Sequence, residues 1–184
     1  MLPEYKTQSF GGGGEAWCSP TSTSMVLVYW SNILGQSDLS HPVAEVAKGS
    51  YDYTYHGTGN WPFNTAYAGT FGLKAFVTRL YSLSQVEQWI KIGVPIVISI
   101  EYKSGELIHS PIPSSSGHLI VIRGFTSRGD VVTNDPAAQS NARVQIIYQR
   151  ANLQHVWLAA SQGMAYIIYP ENWPVPITDR FSSW

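Results

Sequence analysis

The stretch Cys18-Ser19-Pro20-Thr21-Ser22-Thr23-Ser24-Met25-Val26-Leu27-Val28-Tyr29-Trp30 most limits how this chain can fold. Pro20 suits a first helical position, because its missing N–H would have no intrahelical partner there and its φ is already helical. The small hydroxyl residues, then Met25, Val28 and Tyr29 at helical spacing, predict a helix with one buried face. Cys18 then stands at the helix N-terminus, where unpaired N–H groups and the positive end of the dipole favour a thiolate. The rival reading is a cysteine packed as a small hydrophobe. The run Gly11-Gly12-Gly13-Gly14 just upstream favours the nucleophile, since it brings an open backbone up to the thiol.

Only 12% of the 184 residues are charged, against about 25% in an average domain, while 44% are apolar. Such a chain is globular and folds as a single domain spanning 1–184, with a tail rich in Pro and Trp over 170–184. The net charge of −1 and the lack of any basic run give no footprint for nucleic acid. No apolar run approaches the ~18 residues needed to span a membrane. The start, Met1-Leu2-Pro3-Glu4, is not a signal peptide, so the protein is expected either in the cytosol or outside the cell after removal of a leader. One cysteine cannot form an intramolecular disulfide, and a monomer with a free thiol is expected.

Downstream, helices are predicted over 41–47 and 60–68, flanking a Gly-punctuated tyrosine loop over 51–59. Ser84-Gln85-Val86-Glu87 reads as a capping box. Strands are predicted over 73–78, 94–100, 118–125, 130–135, 144–148 and 164–169, with a helix over 150–158. Helices come first and an antiparallel, meander-like sheet follows, an α+β layout. A polar loop, 103–117, runs directly up to His118 and is expected to gate a cleft.

A cysteine nucleophile needs a base. His41, His56, His109 and His155 fall in loops or on helices, whereas His118 opens a strongly apolar strand after Gly117. The alternative for His118 is a strand-end ring bonded to a loop carbonyl. If Thr126 to Gly129 form the hairpin turn, Ile120 lies opposite Asp135 and His118 is its diagonal neighbour, about 7–8 Å away at the backbone. A slip of one residue would put Asn134 on that face instead. Cys18, His118 and Asp135 match the nucleophile–base–orienter pattern of acyl transfer.

Four segments also resemble a known family: 15–22 (EAWCSPTS), 59–67 (GNWPFNTAY), 117–122 (GHLIVI) and 134–138 (NDPAA). In that order they are similar to secreted bacterial relatives of the bacteriocin-processing (double-glycine leader) peptidases, in the papain-like superfamily. The resemblance runs from about Gln8 to Pro170. It implies a papain-like cysteine peptidase fold, with the cysteine on a central helix packed on an antiparallel sheet, and a secreted or cell-surface protein. It also implies that Cys18 is the nucleophile, His118 the base and Asp135 its orienting residue. Two positions depart from the leader-processing pattern. Ser19 stands where those enzymes usually have glycine. Gly12 stands where they carry the glutamine whose amide holds the oxyanion, which leaves Gln8 for that task with the glycine run looped out and the Cys18 N–H as second donor.

No histidine or cysteine pair has metal-ligand spacing, and the sequence calls for no metal and no cofactor. Glu15 and Glu87 read as a solvated charge and a helix cap. Trp17, Trp61 and Tyr53 are the candidate contacts to a peptide or protein substrate; packing of the helical layer on the sheet is the competing role for Trp61 and Phe63. A peptidase, an acyltransferase of the same architecture and a non-catalytic peptide- or glycan-binding module all remain open, the intact Cys–His–Asp set disfavouring the last.

Overall fold

The apolar runs between Leu73 and Pro170 become six strands in the computed structural model, which describes residues 16–176. They are β1 (Leu73–Arg79), β2 (Ile96–Tyr102), β3 (Ser115–Phe125), β4 (Val131–Asn134), β5 (Gln145–Tyr148) and β6 (Met164–Pro170). All pair antiparallel in one sheet, in the order β1-β6-β2-β3-β4-β5. Only β2 to β5 form the expected meander. The last strand inserts between β1 and β2, because its unbroken apolar run is suited to a central place buried on both faces.

Among the described residues there are five α-helices, α1 (Cys18–Leu34), α2 (Val43–Gly49), α3 (Trp61–Gly69), α4 (Leu83–Lys91) and α5 (Arg150–Ser161); α2 packs on α1 and α3, and the others pack on the sheet. Adjacent residues of a strand point to opposite faces. Tyr166 meets Ser19 of α1, while Tyr169 meets Trp89 of α4, so α1 and α4 lie on opposite sides. Arg150 of α5 joins α4 through Glu87 at 2.5 Å. Glu87 is thus an ion-pair partner, and the cap of α4 is Ser82, whose hydroxyl accepts the Gln85 N–H. Ser84 is two residues too late, since the chain has already become helical at Leu83.

The first helix departs from the one-sided pattern. Every residue from Cys18 to Leu27 is buried, including Ser19, Thr21, Ser22, Thr23 and Ser24. Buried hydroxyls need partners. Ser22 Oγ donates to Leu119 O at 3.0 Å, Ser24 Oγ to His41 O at 2.6 Å, and Thr23 Oγ1 to Asn64 Oδ1 at 3.4 Å. A row of small residues lets the helix sit close to β3, α2 and α3 at once, and the hydroxyls fasten it there. Further along, Leu27 and Trp30 are fully buried, and the Trp30 indole donates to Ile168 O at 2.9 Å. Burial of Leu27 alone contributes about 2 kcal/mol. Pro20 falls at the third helical position, not the first. Its missing N–H still costs nothing, since Thr21 N to Trp17 O at 2.9 Å is the first bond of the ladder there.

The stretch 103–117 is more than a polar lid. Its last three residues belong to β3, Leu107 is buried, and Ser110 Oγ bonds Tyr102 Oη at 2.6 Å. Glycines 11–14 lie outside the described residues. No helix among the described residues is long and apolar enough to cross a membrane.

Candidate active site

Cys18 is the first residue of α1 and is 8% exposed. Burial alone would push its thiol up. A hydrogen bond from His118, the charge on that ring, and the backbone N–H groups of Leu119 and Ser19 outweigh burial and hold the thiol below its ordinary value. A helix start has N–H groups with no intrahelical partner, and here one of them is turned on the sulfur.

His118 is 1% exposed, near the start of β3 and opposite Ile100. Its Nε2 is 2.7 Å from Asp135 Oδ1, which leaves Nδ1 for the thiol. Burial would lower its pKa, but the carboxylate of Asp135 and the sulfur of Cys18 push it up to about 10. A bulge in β3 sits beside it, with Ser116 and Gly117 together opposing the single Glu101. Such bulges turn a strand locally and re-aim the next side chain, here the imidazole.

Asp135 is fully buried just beyond β4. Burial would raise its pKa; the charge and hydrogen bond of His118, the Tyr148 hydroxyl and the Ala137 N–H hold it below the usual carboxylate range. Ala137 N donates to Oδ1 at 2.8 Å and Tyr148 Oη to Oδ2 at 2.7 Å. Burial and the adjacent carboxylate in turn drive the Tyr148 phenol far above its ordinary value, so it stays a donor. Nearby, Ser110 Oγ bonds Tyr102 Oη at 2.6 Å.

The hairpin count that brought His118 to Asp135 holds for a reason it did not contain. The loop is Thr126 to Asp130, one residue longer than assumed, closed by Thr126 N to Asp130 O at 2.8 Å. A second bulge in β3 at Arg123 takes that residue back, so Val121 faces Asn134 and Ile122 faces Thr133, as counted. Asn134 therefore points away from His118. It lines a separate cavity of about 280 Å³ with Met25 and Val26 of α1.

Cys18 opens onto a cleft of about 870 Å³. Ala16, Trp17 and the segment from Tyr55 to Pro62 form one side; Ser99, Ile100, Glu101, Ile112, Ser115, Ser116, Gly117, Leu119, Ala160 and Ser161 line the rest. Of the expected substrate contacts, Trp61 lines this cleft. Trp17 borders it, but its side chain is buried at 1% exposure against Val43 and Ala47. Tyr53 does not line the cleft: it is 79% exposed and stacks edge-on against Tyr51, while Tyr55, two residues on, takes the wall position. Gln8 lies outside the described residues.

Sequence reading missed Tyr148 and the anchor from Ser22 to Leu119. The buried hydroxyl row of α1 was the available signal for the second of these. Because that bond ties the Cys18 helix to the strand of His118, Ser22→Ala should cost about 1–2 kcal/mol in a urea titration, as expected when a buried acceptor loses its donor.

The model of the Peptidase C39-like family matches residues 3–164. No curated protein matches the chain. Among solved structures, a protein from Bacillus anthracis described as a C39-like peptidase superimposes with a TM-score of 0.61 at 16% identity, covering 87% of this chain and 91% of that one. A double-glycine motif protease from an AMS/PCAT transporter, solved with its leader peptide, gives 0.55 at 18% identity and 92% coverage of both chains. The peptidase domain of Streptococcus ComA, a bifunctional ABC transporter of a quorum-sensing pathway, gives 0.55 at 15% identity, covering 91% and 99%. These likenesses show a common papain-like fold, and the match over 3–164 places the chain in the Peptidase C39-like family.

Proposed function

We propose that this protein is an active cysteine peptidase that cleaves peptide bonds through a thioester on Cys18. The carrying observation is the continuous buried line from the Cys18 thiol through His118 to Asp135, with Nε2 and Oδ1 at 2.7 Å. In the resting protein the lowered thiol and raised imidazole favour a thiolate–imidazolium pair. The thiolate attacks the scissile carbonyl carbon, and the oxygen takes the negative charge at the start of α1, with the Cys18 N–H and Gln8 as donors. His118 gives its proton to the departing amine, which leaves an acyl-thioester and a neutral ring. That ring then takes a proton from water, the hydroxide attacks the thioester, and the thiolate and acid product separate. Asp135 keeps Nε2–H fixed and stabilises the imidazolium without taking the proton.

A cleft walled by Trp61 and Tyr55 on one side and strand β2 on the other supports a peptide substrate, as does the neighbour solved with a leader peptide. Incubation with a mixture of peptides and mass spectrometry of the products tests the reading. Cleaved peptides that disappear with Cys18→Ala are expected. Ligated products only would point to an acyltransferase, and unchanged peptides would contradict catalysis.

A further inference from the structure

Tyr55 is 63% exposed, yet the loop that carries it is closely held. Its N–H is held by Asp52 Oδ1 at 3.1 Å, and the same carboxylate takes Thr54 N at 2.8 Å and Asn60 Nδ2 at 2.5 Å. Its ring lies over Gly57 and Gly59: a methyl group on Gly57 would meet the ring at 3.1 Å, and one on Gly59 would come within 3.6 Å of the hydroxyl. The next residue, His56, adopts φ 55°, a conformation that costs free energy for any residue but glycine. An exposed aromatic does not need this much support for stability. The loop holds the ring where it borders the cleft.

Glu101 lines the same cleft, at the β3 bulge, and has no ion pair among the described residues. Among the described residues no lysine or arginine borders the cleft. A carboxylate together with a fixed aromatic face, and no competing cation, is the chemistry that recognises an ammonium or guanidinium group.

We infer that Glu101 and Tyr55 form a subsite for a basic side chain, so that the substrate carries a lysine or arginine within a few residues of the bond cut. This rests on reading the Cys18 cleft as the substrate site. Glu101 supplies the counter-charge, and Tyr55 flanks the apolar stem and cationic head.

The test uses Cys18→Ala protein and fluorescently labelled eight-residue peptides, otherwise neutral, each carrying lysine or norleucine at one position. Anisotropy titrations should show at least one position where lysine binds about 3- to 10-fold more tightly, as expected of a partly solvated ion pair with an aromatic contact. The preference should shrink in 0.5 M salt. It should fall to about one with Glu101→Gln and weaken with Tyr55→Leu. Equal binding of lysine and norleucine at every position, a preference that survives Glu101→Gln, or no peptide binding at all would each overturn the subsite. Incubating the same peptides with wild-type protein tests the peptidase reading separately. Preference without cleavage would sink that reading and leave the subsite; cleavage without preference would do the reverse.

Discussion

Asp135→Ala should slow acylation of Cys18 by at least about a hundredfold, while Asn134→Ala stays within about twofold of wild type. The two residues are adjacent, polar and precede the same proline, but the strand turns them to opposite faces. Asp135 holds His118 Nε2, and without it the ring loses both its fixed orientation and the charge that stabilises the imidazolium. The variant also leaves the Tyr148 hydroxyl and the Ala137 N–H without their acceptor in a buried place. Breaking such a group costs about 3–5 kcal/mol, so rates must be corrected for the folded fraction. Asp135→Asn keeps an acceptor for the ring and should fall between wild type and alanine. A damaging Asn134→Ala would show that the β3–β4 register is displaced by one residue.

Alkylation of Cys18 by iodoacetamide should remain fast well below pH 8.5, where a free thiol loses its thiolate. At pH 5.5 an unperturbed cysteine of pKa about 8.5 is roughly 0.1% ionised, so a resting ion pair reacts up to about a thousandfold faster. The sign follows from the two shifts. Cys18 lies below its ordinary value and His118 above, to about 10, so both are charged between those limits. The acid limb of the rate profile belongs to protonation of the thiolate. On the alkaline side, loss of the imidazolium near pH 10 ends acid catalysis of amine departure. Stability should follow the same window. The thiolate's contribution is present above the unfolded thiol pKa and is lost as pH falls through the folded value. That of His118 is present below about 6.5 and is lost as pH rises through about 10. His118→Ala should move the alkylation inflection up to about 8.5 or above, since burial then acts on the thiol with only the backbone N–H groups of Leu119 and Ser19 against it. An unshifted inflection in the wild-type protein would mean that no ion pair forms.

Much of this site was legible because its parts are local. A proline beside a lone cysteine at the head of an apolar run marks a helix start, and β-branched runs mark strands, through steric preferences of a few residues at a time. The His118–Asp135 pairing was reachable because a hairpin is also local. Its arithmetic survived only because an extra loop residue and the Arg123 bulge cancel, and neither has a signature in the residues around it. The insertion of β6 depends on contacts far apart in the chain, which a periodicity cannot report. Tyr148 reaches Asp135 through the β4–β5 hairpin, whose connection over 135–144 carries no tight-turn signature. Tyr53 and Tyr55 share composition and spacing; only the bonds from Asp52 and the room left by Gly57 and Gly59 decide which faces the cleft. The all-round burial of Cys18 to Leu27 was hidden because serine and threonine read as surface until the Ser19, Ser22, Thr23 and Ser24 hydroxyls are seen to be paired.

Trapping of the acyl-enzyme tests the central claim most directly. Wild-type protein is mixed with a peptide it cleaves, quenched in acid within milliseconds to seconds, and its intact mass and Cys18-containing fragment are read by mass spectrometry. A transient adduct with the mass of the acyl half of the peptide is expected on Cys18, appearing before hydrolysed product. It should be absent in Cys18→Ala and should form at least about a hundredfold more slowly in Asp135→Ala. Peptide cleavage with no adduct on Cys18, or cleavage that persists in Cys18→Ala, would contradict the account.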